Sequence, residues 1–372
     1  MASPLVVALG DAPSPAALEP EWRALEARAD ASFFTSWTWI GTWLRQLPAG
    51  LRPQLLRVTR GDEVMGLALF TPRLLRRHGF IRARSLFLHT TGDPSYDAIT
   101  VEYNGLLIDR HCREEVERQV LEHLVTQAPG WEELYMEALA APPQALQGRR
   151  DVLLAHSQRP SFHVDLCKVR AHRDGYLALL GQKPRYSVRR SAKWCTKEWG
   201  PVALDIADTP AQAREFLAGL KQLHSAYWHT RGQPGAFASP FANDFHDDLV
   251  LAGLAGGEVQ LLHARAGDKT IGYLYNFVHR GRVLNYQAGI NYAMFPSTES
   301  PGLLTHALAV QFNAEQGHSI YDFMMGDQRY KRSLCTDTAA QHWLVVRRNR
   351  LKFRLEDALR RARNRMHTGL KA

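Results

Sequence analysis

Apolar positions along this chain change period several times, and each change marks an element. Trp22, Leu25 and Ala29 recur at helical spacing, as do Trp37, Ile40, Trp43, Leu44 and Leu47. Extended runs follow at 54–60, 64–74 and 84–89, with Gly61-Asp62 as a hairpin turn between the first two. Val116, Val120, Leu121 and Leu124 give a charged amphipathic helix over 112–126, and 134–139 and 152–155 read as strands. A boundary is expected near 160–166, after which the pattern restarts. Helices are predicted at 176–180, 184–199 (Pro184 in its first turn), 211–228 and 241–255. Three strands at 259–265, 271–279 and 283–289 are joined by turns at Gly267-Asp268 and Arg280-Gly281. A helix over 302–316, a buried strand over 320–324, a strand over 342–348 and a terminal helix over 350–366 complete the chain. Both halves read as mixed α/β, with helices first and then a mainly antiparallel sheet. No residue-level repeat is visible, but the similar element order suggests two copies of one fold.

The chain has 372 residues, enough for about two domains. With 45% hydrophobic and 10% aromatic residues it is globular rather than disordered or fibrous. Cys112, Cys167, Cys195 and Cys335 form no C-x-x-C pair and have no metal-ligand spacing to a histidine pair. We therefore expect no metal site and reduced thiols in a cytoplasmic protein. No run approaches the ~20 apolar residues that span a bilayer, and the first 20 residues do not read as a signal peptide. The net charge of +9 is concentrated: 168–200 carries nine Lys/Arg against two Asp/Glu, and 347–372 ten against two. Such patches meet phosphates, anionic lipid or nucleic acid.

Three segments carry candidate chemistry. The run 320–332, I-Y-D-F-M-M-G-D-Q-R-Y-K-R, places Asp322 inside an apolar strand, with Asp327, Tyr330 and Lys331 just beyond Gly326. A carboxylate in such a strand needs a partner, and Lys331, Arg329 or a substrate amine are candidates; alternatively Asp322 only anchors a turn or a neighbouring Arg. On the helix 184–199, Arg185, Arg189, Lys193 and Lys197 repeat every four residues with Arg190 alongside, which is either a solvated face or an anion-binding stripe. On 350–366, Leu351, Leu355, Ala358, Leu359, Ala362 and Met366 oppose several arginines. That helix either docks on its own domain or lies on the inner, anionic face of a membrane.

The motif Y-D-F-x-x-G-D-x-x-Y-K-R, preceded by P-G-L-L-x-x-A-L at 301–308, resembles the CelD/BcsL group of GNAT-like acyltransferases, which is similar to the FemABX peptidyltransferases. The segment 223–237 matches the pattern His, Trp, Arg-Gly and Gly-x-Phe, and 185–197 the basic helix. The resemblance is clear over about 170–346. It implies tandem GNAT-like units, a degenerate one over 1–165 and a transferase unit over 166–348, followed by the basic segment 349–372. It also implies acyl transfer, usually from acetyl-CoA, to an amine such as an amino sugar or an exopolysaccharide or cell-envelope intermediate. Asp322, Asp327, Tyr330 and Lys331 would then serve catalysis. His224, Trp228 and Arg231, with Asp97 of the loop D-P-S-Y-D, would line the acceptor pocket. Ser300, Gly302 and Leu303 would offer backbone N–H groups to the donor pyrophosphate, with Arg189, Arg190 and Lys193 nearby. One departure stands out. The turn 297–302 has a single Gly and an acidic Glu299, where GNAT proteins carry Gln/Arg-x-x-Gly-x-Gly/Ala. Two rivals follow: an aminoacyl-tRNA-dependent transferase, and a non-catalytic regulatory or scaffold protein of a polysaccharide system that binds a ligand without turnover; the basic stripe on 184–199 could correspondingly meet a tRNA backbone, CoA phosphates, a nucleotide sugar or a cyclic dinucleotide.

Overall fold

A computed structural model describes residues 3–77, 81–128 and 130–356. The first half runs β1 (Leu5–Asp11), α1 (Pro15–Arg28), α2 (Trp37–Gln46), β2 (Gln54–Arg60), β3 (Glu63–Arg77), β4 (Ile81–Leu88), β5 (Leu107–Ile108), α3 (Arg113–Thr126), β6 (Glu133–Leu139) and β7 (Val152–Asp165). The second half runs α4 (Leu166–Ala171), α5 (Tyr176–Leu179), α6 (Gln182–Glu198), β8 (Val202–Ile206), α7 (Pro210–His229), α8 (Pro240–Leu254), β9 (Val259–Ala266), β10 (Lys269–His279), β11 (Arg282–Ile290), α9 (Pro301–Glu315), β12 (Ile320–Met325), α10 (Arg329–Leu334) and β13 (Asp337–Arg348).

Apart from the two-residue β5, which pairs with β3 off the main path, the order strand, two helices, three strands, helix, strand occurs twice, from β1 to β6 and from β8 to β12. Each set pairs in sequence order, antiparallel except at its last step. There β4 meets β6, and β11 meets β12, in parallel, as strands joined through a helix must when it returns them to the same end. β7 and β13 lie side by side in the middle of one mixed, mainly antiparallel sheet. β7, from the first half, pairs with β12, and β13, from the second, pairs with β6. Each half therefore ends in a strand built into the other half's side of the sheet.

Alternate residues of a strand point to opposite faces, and the cores follow that rule. On β3, Leu67 and Leu69 enter the core under α1, α2, α7 and α8, while Ala68 and Phe70 enter the core under α3. On β12, Met324 joins the first of these, while Tyr321 and Phe323 join the core under α9. One apolar core thus spans both halves on one face, where α2 packs on α8.

The structure adds β1 and β8, edge strands whose short patterns gave no clear period. It extends β7 through the expected boundary: Pro160 has no N–H to give, but its carbonyl accepts the Gly326 N–H at 3.2 Å. α6 begins two residues before Pro184, which the first turn tolerates because its N–H groups lack helical partners anyway. The terminal helix is described only over 351–356, and the remainder of the expected 350–366 lies outside the described residues. Leu351 and Leu355, expected to face inward, are exposed. The buried residues are Phe353, approached by the guanidinium groups of Arg77 and Arg347, and Glu356, which pairs with Arg77. Among the described residues no helix is long and apolar enough to cross a membrane, and all four cysteines are free.

Candidate active site

β11 and β12 are parallel neighbours only over Arg282–Leu284 and Ile320–Asp322. Past that register they part, and α9 supplies a side chain to the gap. His306, 3% exposed, stacks on the Tyr330 ring (centroids 5.1 Å apart, planes at 11°) and meets Phe323 edge-on at 5.6 Å. Burial, reinforced by the Lys331 ammonium, pulls the His306 imidazole down to about 3, so it is neutral at physiological pH. A cleft of about 520 Å³ adjoins the wedge, lined by Leu223, Tyr227 and Arg231 at the end of α7 and by Ile290, Asn291 and Tyr292 after β11. The Arg231 guanidinium lies 3.7 Å over the Tyr227 ring, which also packs against Tyr292 at 5.3 Å and Trp228 at 5.6 Å. Burial raises the Tyr330 phenol above its ordinary value, and Tyr292 and Tyr227 add to the effect.

The first half has the corresponding parallel step. β4 and β6 pair in parallel at Ser85–Phe87, where Phe87 and Tyr135 stack at 4.5 Å. Just beyond, the buried His89 Nδ1 meets the Asn104 Oδ1 at 3.0 Å.

The motif 320–332 divides in two. Asp322 is fully buried, and its partners are Arg282 of β11, through Nε at 3.1 Å and Nη2 at 2.5 Å, the Tyr103 hydroxyl at 2.6 Å and the Met324 N–H at 2.6 Å. Lys331 and Arg329 do not take this position; a turn N–H and a neighbouring arginine do, because the parallel register sets Arg282 beside β12. Lys331, 6% exposed, instead gives its ammonium to the Met325 carbonyl at 2.6 Å and to the Met324 carbonyl at 3.4 Å. Burial lowers its pKa, opposed by Glu102 and then Asp322. Glu102, from the first half, accepts the Met325 N–H at 2.8 Å and the Gln341 amide at 2.6 Å. Glu102 and Lys331 therefore clamp the same residue from its N–H and C=O sides. The clamp holds a bent strand end, with Met324 at φ 63° and Gly326 at φ 122°. Asp327 does not join this group. It is exposed and ion-paired with Arg332 across the first turn of α10.

Burial pushes the Glu102 carboxyl up to about 7, against the hydrogen bonds from Met325 and Gln341 and the Lys331 charge. Its folded pKa is above its ordinary value of 4.5, so the folded chain holds the proton longer than the unfolded one. Stability is therefore expected to fall as pH rises from about 4.5 to 7, and Glu102→Gln should flatten that limb. Chemical denaturation at several pH values measures it, and an unchanged slope in the variant would remove Glu102 as the cause.

The segment 223–237 also divides. The His224 Nδ1 faces the Ala288 carbonyl at 3.2 Å, and its Nε2 accepts the Ala236 N–H at 3.1 Å. Both nitrogens are committed to backbone, and burial lowers the pKa, so this ring ties α7 to β11 rather than meeting an acceptor. Trp228 packs beside it at 6.0 Å, and of the three residues only Arg231 lines the cleft. Asp97 caps a turn, accepting the Thr91 N–H at 2.7 Å and hydroxyl at 2.8 Å, and burial raises its pKa.

The basic stripe is not continuous. Arg185 donates to the Ala178 and Leu180 carbonyls at 2.7 and 2.8 Å, and Arg190 sits 3.2 Å from Glu299. Arg189 and Lys193 are exposed, Arg189 on the rim of a groove of about 370 Å³ between α6 and α9.

Gly302 and Leu303 open α9, and a Cβ at Gly302 would come 2.9 Å from the Tyr292 hydroxyl. The Ser300 N–H, expected to meet a pyrophosphate, is already donated to the Ser191 hydroxyl at 2.9 Å. That hydroxyl in turn donates to Glu299 at 2.7 Å. A carboxylate thus stands at this helix start, and the residues present do not fit a diphosphate there.

One further group, Glu26, Glu258 and His279, brings potential metal-ligand atoms within 4.8 Å of one another. Both carboxylates are already engaged at the start of α2, with the Trp37 N–H at 2.8 Å and the Thr38 hydroxyl.

The fold, a mainly antiparallel sheet with one splayed parallel step per half, is GNAT-like. Residues 182–332 match the family model described as an acetyltransferase (GNAT) domain. No curated protein matches the chain. Among solved structures the chain is similar to FemX, with a TM-score of 0.54 at 9% identity, covering 88% of this chain and 95% of that one. It is also similar to the C-terminal domain (DUF2156) of a putative lysylphosphatidylglycerol synthetase from Agrobacterium fabrum (TM-score 0.53, 12% identity, 93% and 97% covered) and to L-PGS from Bacillus licheniformis (0.52, 12%, 91% and 94%). At such identities the likeness is one of fold. It shows a fold shared with FemX and the lysylphosphatidylglycerol synthetase domain and does not single out the CelD/BcsL type.

Proposed function

We propose that this chain is an N-acyltransferase whose reaction takes place in the β11–β12 wedge. The observation that supports it is the juxtaposition there of a protonated phenol, a buried ammonium and an open tyrosine-lined cleft. An acceptor amine enters the cleft past Arg231 and attacks the acyl carbon. The C–N bond forms, the bond to the leaving group breaks, and the amine loses a proton. Tyr330, whose phenol stays protonated well above neutral pH, supplies a proton to the leaving group. An ammonium has three donors, and Lys331 spends two on carbonyls, which leaves one for the developing oxyanion. Glu102, pushed up to about 7 and coupled to Lys331, is a buried group suited to take up a proton.

The family resemblance makes acyl-CoA the first donor to test, and an amino sugar or envelope intermediate the first acceptor class. A second reading, a Fem-like aminoacyl-tRNA donor, is favoured by Glu299, because that donor does not require a diphosphate at the start of α9. The purified full chain should transfer label from acetyl-CoA or from aminoacyl-tRNA to an amine acceptor, and Tyr330→Phe should slow the step by about 10²-fold. No transfer from either donor across a panel of amino sugars would favour the non-catalytic rival. Equal rates in wild type and Tyr330→Phe would sink the assignment of Tyr330.

A further inference from the structure

We infer that Glu299 is a built-in occupant of the anion seat at the start of α9, and that it discriminates against donors that would bind there through a diphosphate. The inference rests on the wedge being the acyl-transfer site, and it concerns the donor's handle rather than the chemistry.

The first N–H groups of a helix have no helical partners and, with the helix dipole, attract an anion. α9 is 15 residues long and begins beside the wedge, so its start is where a phosphate-bearing donor would be held. The N-cap side of the seat is engaged from within the chain, through the Ser300 N–H, while Glu299 stands beside it. The Glu299 side chain is 5% exposed. Its Oε2 accepts the Ser191 hydroxyl at 2.7 Å, and Ser191, itself fully buried on α6, accepts the Ser300 N–H at 2.9 Å. The relay is complete, since a hydroxyl has one proton to give and here gives it to the carboxylate while accepting from the backbone. Arg190 balances the charge, its Nε 3.2 Å from Oε1. That approach is ionic rather than hydrogen-bonded, because the Nε proton has no acceptor in line.

The arrangement makes two demands on a donor. A diphosphate entering the seat would face a buried carboxylate of its own sign, and it would find the Ser300 N–H taken. The floor offers no slack either, since even a methyl group at Gly302 would press on Tyr292. A donor whose handle carries no diphosphate at this point meets neither obstacle. Like-charge placement of this kind is a means of rejecting one ligand class at little cost to another. Neutralising Glu299 leaves a guanidinium and a helix start with no internal anion, which is an attractive phosphate site.

The test is equilibrium binding to the full chain by calorimetry, with CoA and pantetheine as probes, since pantetheine has the same thiol arm without the phosphates. In the wild type the two should bind within about threefold of each other. Glu299→Gln retains an acceptor for Ser191, and it should bind CoA at least tenfold more tightly with pantetheine unchanged. Ser191→Ala, which frees the Ser300 N–H and loosens the carboxylate, should shift CoA affinity in the same direction. Thermal unfolding followed by circular dichroism shows that both variants are folded. A folded Glu299→Gln with no gain in CoA affinity overturns the inference, as does a wild type that binds CoA more than tenfold better than pantetheine. The transfer reading is judged separately by turnover. A chain that gains CoA affinity in Glu299→Gln but transfers no acyl group keeps this inference and loses that reading.

Discussion

Arg282→Ala is expected to destabilise the fold by about 3 kcal/mol, because it leaves the Asp322 carboxylate buried without its cation. Asp322 has no exposed surface and sits at the last residue where β11 and β12 are paired. Tyr103 and the Met324 N–H would remain as donors, but neither carries charge. The loss also reaches the first half, since the Arg282 guanidinium lies 4.7 Å over the Tyr103 ring. The double variant Asp322→Asn/Arg282→Met removes both charges and should recover a large part of the loss. Urea denaturation of the three proteins measures the pattern. A loss below about 1 kcal/mol for Arg282→Ala would mean that the pair is solvated in solution.

Lys331→Ala is expected to lower turnover by about 10²-fold or more, the scale for losing one preorganised donor to an oxyanion. Asp327→Asn should stay within about threefold of wild type. It removes an exposed pair with Arg332, and such pairs contribute little. Lys331→Met preserves most of the packing and separates loss of charge from loss of volume. Single-turnover acyl transfer measures the chemical step directly. Comparable losses in Asp327→Asn and Lys331→Ala would mean that the tip of the motif, rather than its buried end, meets the substrate.

The elements around the site were legible from local pattern. The four-residue recurrence of Leu304 and Leu308 marks α9, and the apolar run from Ile320 marks β12, because periodicity reports which face of a segment is buried. The residues Tyr330 and Lys331 could be named from the same run, since a buried strand ending at a glycine presents whatever follows it at the sheet end. A lone acidic residue in the turn before α9 was also visible as a departure from the expected pattern.

Pairing between distant segments was decided by the tertiary structure. Arg282 became the partner of Asp322 through the parallel register of β11 and β12, and nothing at the sequence positions of either residue encodes that register. Glu102 and Tyr103, from a loop of the first half with no periodic signal, reach the site because β7 and β13 are exchanged between the halves and bring that loop against β12. The basic stripe on α6 was evident as a row of charges, but its division into Arg190, neutralised by Glu299, and Arg189 and Lys193, left in solvent, follows from how α6 lies on α9. Helix and strand periods are written in a few neighbouring residues and survive without context. The partner of a buried charge is set by strand register and helix packing over hundreds of residues, so it exists only once the chain has folded.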